Sequence, residues 1–271
     1  MYSPSSAPAQ GWRQAANNVT NNFFSLAGKV ALVTGSSTGL GAAIALALGE
    51  YGADVICHGN SRCASETCTK IRQMGRRATA VRVDLSAPDG AKTLFEKAQS
   101  FAEIDIVVNN AGVIKRAPAH QYTIEDWDQV FQVNLRSVFE LSQMAGRAWI
   151  DSDRPGKIVN IASLLAFQGG TTVAAYAASK GGVAQLTKAL ANEWAVRGIN
   201  VNAIAPGYIL TDNTAPLSRD ETRNRQILER IPAGRWGQPI DVGGAAVFLC
   251  SRASDYVHGH TLVVDGGWMG R

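Results

Sequence analysis

A tyrosine and a lysine stand four residues apart in the stretch AAYAASK, residues 174–180. On a helix, Tyr176 and Lys180 share one face, with their Cβ atoms roughly 5–6 Å apart. A phenol ordinarily titrates near pH ~10, too high for ready proton exchange near neutrality. A neighbouring ammonium favours the phenolate and draws that value down. The pair therefore has the chemistry to give a proton to an oxygen or to take one from it. Ser163, at the end of the run KIVNIAS, precedes Tyr176 by 13 residues. A loop and a turn of helix can return the tyrosine to it, and its hydroxyl can stabilise charge developing on the same oxygen. Asn134, in VNLRS, can pass a proton to solvent through water beside Lys180. A packed tyrosine next to a solvent-seeking lysine would explain the first two residues alone, but not all four together.

A second constellation handles phosphate. TGSSTGLG, Thr34 to Gly41, follows an apolar run and opens a helical pattern. Gly35, Gly39 and Gly41 permit a tight turn and a close backbone approach. The turn, with Ser37, Thr38 and Leu40, offers free N–H groups and the positive end of a helix dipole to a pyrophosphate. The spacing is G-x-x-x-G-x-G, not the commoner G-x-G-x-x-G. The next strand would choose the coenzyme, because an acid at its end binds the ribose 2′-hydroxyl of NAD. Here the strand ends ICHGNSR, and Gly59 stands where that acid is expected. Asn60 and Ser61 can donate to a 2′-phosphate and Arg62 can pair with it. The expected coenzyme is NADP(H), with NAD(H) possible. Asp84, followed by Leu85, is placed to contact an adenine edge. Asn110, Ala111 and Gly112, in NNAG, let the coenzyme lie close.

These residues need elements that bring them together. The apolar runs KVALVT, DVICH, ATAVRVD, IDIVVNN, KIVNIAS, INVNAIAP and HTLVVDGG alternate with helical stretches near 39–51, 88–102, 123–150, 175–197 and 239–251, and with a polar helix ending at Met74. Such alternation predicts right-handed βαβ units and an α/β, Rossmann-like, doubly wound sheet of seven parallel strands, with helices on both faces. The glycine-rich and polar clusters all fall at strand ends, where such sheets bind ligands. One domain over residues 25–271 is expected, after a flexible tail over residues 1–24 rich in Ser, Pro, Ala and Asn. Residues 207–236 fall outside the alternation and could form a lid.

Composition narrows the class. Of the 271 residues 46% are hydrophobic and 18% charged, so a large core is expected. The net charge of +4 is scattered, without the basic run that nucleic acid or a membrane surface would need. Cys57, Cys63, Cys68 and Cys250 form no CxxC pair, and no metal site is expected. No run reaches the ~18 apolar residues of a membrane helix. Reduced thiols and the lack of a secretory pattern suggest a soluble cytoplasmic protein.

The order TGxxxGxG, NNAG, Asn134, Ser163, YxxxK and PG resembles the short-chain dehydrogenase/reductase family over nearly all of residues 27–268. The resemblance implies Asn134, Ser163, Tyr176 and Lys180 as a catalytic tetrad, with Lys180 also holding the nicotinamide ribose. It implies that PGYILT cradles the nicotinamide through Pro206, Gly207, Ile209 and Thr211, and that the chain forms a homotetramer on its long helices. NIASLLAFQGG, RIPAGRWG and DYVHGHTLVVDGGW are similar to the family's sugar-acid branch. That implies reduction of a uronate-derived keto acid, such as 4-deoxy-5-hexoseulose uronate, to 2-keto-3-deoxy-gluconate in alginate or pectin breakdown. Lys115, Arg116, Gln168 and Arg235 are candidates for the substrate carboxylate. A gluconate 5-dehydrogenase or polyol dehydrogenase stays open as the alternative. A nucleotide-binding regulator would need none of Ser163, Tyr176 and Lys180.

Overall fold

Short β-branched runs dominate the strands, and their side chains alternate between two buried faces. The computed structural model describes residues 22–271, so most of the expected tail, up to residue 21, lies outside the described residues. The strands are β1 (Val30–Val33), β2 (Asp54–Gly59), β3 (Ala78–Arg82), β4 (Ile106–Asn109), β5 (Gly156–Ile161), β6 (Ile199–Pro206) and β7 (Thr261–Val264). They form one sheet in the order β3-β2-β1-β4-β5-β6-β7, and every pairing is parallel. This is the seven-stranded, doubly wound sheet expected from the alternation.

Each face carries its own core. On one side Ala31, Val33, Val55 and Val108 pack with helices α1 (Gly39–Glu50) and α9 (Pro239–Cys250). On the other, Leu32, Ile56, Val107 and Ile158 pack with helices α3 (Gly90–Gln99), α5 (Ser137–Asp151) and α6 (Ala174–Trp194). Alternate strand residues thus serve opposite layers. The polar helix α2 (Ser65–Gln73) covers the β2–β3 edge.

The long helix expected over 123–150 is interrupted. It consists of α4 (Ile124–Phe131), a π-turn over Gln132–Arg136 and then α5. Thr123 caps α4, its side chain accepting from Asp126 N–H at 3.1 Å. The π-turn contains Asn134, and such turns recur at functional positions. Within 207–236 lie two short helices, α7 (Ala215–Arg219) and α8 (Glu221–Leu228).

Candidate active site

The strand order reverses between β1 and β4, and there the chain leaves a crevice. Thr34 ties its two walls together. Its hydroxyl accepts from the N–H groups of Asn110 and Ala111, both at 2.9 Å, and its carbonyl accepts from Asn110 Nδ2 at 2.9 Å. A cavity of about 1080 Å³ opens above these strand ends. It is lined by the glycine-rich turn, by Asn60, Ser61 and Arg62, by Asp84 and Leu85, by Asn110 to Gly112, and by Pro206, Gly207, Ile209 and Thr211. Ser163, Tyr176 and Lys180 complete the same wall. Every residue expected to hold coenzyme therefore faces one space.

The turn has room for a backbone and nothing more. A Cβ at Gly41 would lie 2.2 Å from the Gly35 carbonyl oxygen, and one at Gly35 would lie 2.9 Å from Ala111 Cα. Helix α1 begins here without a side-chain cap, which leaves its first N–H groups for an anion. The loop after β2 is equally tight. A Cβ at Gly59 would lie 2.1 Å from the Arg62 carbonyl oxygen, so an acid there would displace the loop. Asn60 Nδ2 donates to Asp84 Oδ1 at 3.0 Å, and Arg82 Nε donates to the Asn60 carbonyl at 2.8 Å. Asp84 accepts also from the Ser86 N–H and hydroxyl, which hold its carboxyl below the usual range. Arg62 has no ion-pair partner among the described residues.

On the wall formed by Ser163, Tyr176 and Lys180, Tyr176 is half-buried beside the Ser163 hydroxyl. Loss of water raises its phenol above the ordinary value, while Ser163 and the Arg116 guanidinium pull it back. Arg116 thus joins the Lys180 ammonium, which lies 5.7 Å from the centre of the Tyr176 ring, as a positive group near the phenol. Lys180 is itself buried, donates to the Ile161 carbonyl at 2.5 Å, and is lowered to about 8 by desolvation. Asn134 is fully buried. Its Oδ1 accepts from Val113 N–H at 2.8 Å, and its Nδ2 donates to the Val113 carbonyl at 2.9 Å and to Ser179 Oγ at 3.2 Å. The side-chain amide is therefore committed to joining the loop after β4 to α6.

A family model described as enoyl-(acyl carrier protein) reductase matches residues 35–269. A 2-dehydro-3-deoxy-D-gluconate 5-dehydrogenase of Bacillus subtilis (strain 168) is 57% identical over 255 residues, 93% of this chain and 98% of that protein. The chain belongs to the short-chain dehydrogenase/reductase family. It is accordingly an oxidoreductase acting on a CH–OH/C=O pair. A crystal structure from Agrobacterium tumefaciens, described as a 2-deoxy-d-gluconate 3-dehydrogenase with bound NADP, superposes with a TM-score of 0.88 at 53% identity, covering 93% of this chain and 100% of that one. Another, from Beutenbergia cavernae, described as an NAD(P)-dependent gluconate 5-dehydrogenase with bound NADP at low occupancy, gives 0.88 at 48% identity over 92% of this chain and 100% of that one.

The expected substrate residues of this dehydrogenase/reductase divide. Arg116 and Gln168 line the cavity; Arg235 and Lys115 do not. Arg235 forms two bonds to Asp241, at 2.7 and 3.0 Å, within the box that caps α9. Arg235 falls within the segment 207–236, but its guanidinium faces a helix start and not the cavity. Lys115 pairs with Asp126 at 3.2 Å. Sequence reasoning missed His58, Tyr208, Arg223, Arg230 and Trp268, all of which line the cavity. The Arg230 guanidinium stacks over Trp268 at 3.9 Å, and Trp268 meets Tyr208 at 4.7 Å. No local spacing signals that cluster, because its members come from the turn after α8, from β6's exit and from the segment after β7. Among the described residues no helix is long and apolar enough to cross a membrane, and no His, Cys, Asp or Glu cluster could hold a metal.

Proposed function

We propose that the protein interconverts a ketone and a secondary alcohol on a six-carbon sugar acid, using NADP(H) in preference to NAD(H), within uronate breakdown. The substrate class is 2-dehydro-3-deoxy-gluconate and the keto acids that yield it, including 4-deoxy-5-hexoseulose uronate. The observation that carries this reading is Arg116, a guanidinium that lines the same cavity as Ser163 and Tyr176 and acts on the phenol. A carboxylate several carbons from the reacting centre would find its counter-charge there. Gln168 adds an amide on the same wall. The names of the curated relatives support the same class.

The cradle fits the coenzyme, since the turn, the side-chain-free Gly59 and the unpaired Arg62 suit a pyrophosphate and a 2′-phosphate. When bound, that group supplies or accepts the hydride. The chain's own residues do the rest. Tyr176 gives its phenolic proton to the carbonyl oxygen, or takes one from the alcohol in reverse. Ser163 hydrogen-bonds that oxygen as charge develops. Lys180 holds the ribose, with Gly112 lining the cavity beside it. Asn134 fixes the loop that carries Gly112 and Val113, and a relay would leave from the π-turn around it. Assembly as a homotetramer on the long helices and a cytoplasmic location complete the proposal.

The test is purified protein assayed with NADPH and NADH against 2-dehydro-3-deoxy-gluconate, a lyase-derived uronate keto acid, gluconate, 5-keto-gluconate and neutral polyols. The highest kcat/KM is expected on a 3-deoxy keto acid with NADP(H). Faster turnover of gluconate and 5-keto-gluconate would move the assignment to gluconate 5-dehydrogenase. Far faster turnover of neutral polyols would sink the sugar-acid reading.

A further inference from the structure

One buried imidazole joins three strand ends beneath the phosphate turn. His58, near the end of β2, is only 2% exposed. Its Nδ1 accepts from the Gly35 N–H at 3.2 Å, and its Nε2 lies 3.0 Å from the Val83 carbonyl just past β3. A carbonyl can only accept, so Nε2 must carry the proton, and Nδ1 is then left with the lone pair that Gly35 needs. Both bonds together require the neutral Nε2–H tautomer. On its other side the same glycine is held from β4, its carbonyl accepting from Asn110 Nδ2 at 3.1 Å. Gly35 has φ +62, and a Cβ there would strike Ala111, so no side chain can anchor this peptide. Its position is set by His58 and Asn110 from outside.

We propose that His58 is a positioning residue for the coenzyme: its neutral imidazole fixes the Gly35 peptide, and with it the turn that receives the pyrophosphate. The proposal rests on the coenzyme reading given above. Protonation would turn Nδ1 into a donor facing a donor and release the turn. The backbone of His58 is anchored independently, its N–H donating to Ser36 Oγ at 3.0 Å and its carbonyl accepting from Ser36 N–H at 2.8 Å. Loss of the imidazole therefore loosens the turn without unpairing the strand.

The charges around the ring are few. Asp84 lies beyond Val83 and favours the imidazolium. Arg82 and Arg62 stand on the β3 side and on the loop after β2, and Thr67 and the Cys68 thiol face the turn and the strand from α2. Residues 34–41 and 109–112 carry no charge at all. Burial outweighs Asp84 and holds His58 below its ordinary value of 6.5. The clamp is thus intact at neutral pH and is lost as pH falls.

The test measures dissociation constants of NADH and NADPH between about pH 5 and 8 for wild type, His58→Leu and His58→Asn. NADH is the cleaner reporter, because a phosphate monoester such as the 2′-phosphate itself titrates near pH ~6. His58→Leu should weaken both coenzymes about tenfold at neutral pH, the scale of one lost hydrogen bond that leaves a donor unpaired. His58→Asn, whose Oδ1 can accept from Gly35 and cannot titrate, should recover most of that loss. It should also flatten the acid-side weakening seen for NADH with wild type. NADH binding by His58→Leu at wild-type strength, or an unchanged acid limb in His58→Asn, would overturn the clamp. Should the leucine variant fail to fold, the asparagine profile decides alone. A wild type that binds neither dinucleotide would overturn the coenzyme reading itself, a result distinct from tight wild-type binding with indifferent variants.

Discussion

The Lys180 ammonium lies 5.7 Å from the centre of the Tyr176 ring, yet its hydrogen bond goes to the Ile161 carbonyl at 2.5 Å. The lysine is buried, and desolvation lowers it to about 8 from 10.5. A base whose folded value is depressed opposes folding while it is charged. Between about pH 8 and 10.5 the unfolded chain binds more protons than the native one, so wild-type stability gains from this group as pH rises. Lys180→Met removes that dependence along with the charge. The melting temperature of the variant, relative to wild type, should therefore be higher at pH 7 than at pH 10, while its activity is lost. Thermal melts of both proteins at the two pH values check this, and a constant gap would contradict a desolvated ammonium.

Tyr176→Phe tests the proton itself. The ring still packs at the cavity wall, so coenzyme affinity should change little. Without the phenolic proton, kcat should fall by at least about two orders of magnitude, the usual scale of general acid–base catalysis. Steady-state kinetics beside a coenzyme titration separate the two effects. An unchanged kcat would remove Tyr176 from the mechanism.

Arg116→Met tests two consequences of one charge. Arg116 pulls the Tyr176 phenol downward, against burial. Without it the phenol should titrate higher, and oxidation of the alcohol, which needs the phenolate, should have its rising pH limb displaced to higher pH. KM for an acid substrate should rise about tenfold or more, the cost of leaving a carboxylate without a charged partner. Neutral polyols should show the shifted limb without that KM penalty. A limb that stays in place would separate Arg116 from the phenol.

The sheet was legible because its strands are buried on both faces, and such runs stand out as continuous apolar stretches. Tyr176 and Lys180 were legible because i and i+4 is a local relation. The phosphate turn was legible because its glycines are needed for steric reasons within a few residues. The His58 link to Gly35 and Val83 was not, because it depends on the neighbouring order of β1, β2 and β3. Nor was the π-turn at Asn134, where apolar periodicity reads straight through the bulge. Arg235 shows the opposite failure: a basic residue offered for the substrate carboxylate is instead taken up by Asp241.

Arg235→Ala follows from that contact. The guanidinium bonds Asp241 twice, and Asp241 Oδ2 also accepts from the Gln238 N–H at 2.6 Å at the start of α9. Both side chains are partly solvated, so the pair contributes only modestly to stability. The variant should lose a few degrees of melting temperature and keep its KM for every acid substrate. A selective rise in KM would return Arg235 to the substrate site.

Arg62→Ala separates the coenzymes. Gly59 admits no side chain, since a Cβ there would meet the Arg62 carbonyl oxygen at 2.1 Å. Nothing acidic can therefore take that position and repel a 2′-phosphate while the loop keeps its shape. Asn60 is held by Asp84 and Arg82, which leaves Ser61 and Arg62 to meet the phosphate. Arg62 supplies the only charge of the two, so its loss should weaken NADPH about tenfold or more and NADH hardly at all. The contact lies at the surface, and wild-type preference for NADPH should also shrink as salt rises from low to high ionic strength. Coenzyme titrations at two salt concentrations measure both effects. Equal losses for NADPH and NADH in Arg62→Ala would mean that the guanidinium shapes the loop and does not read the phosphate.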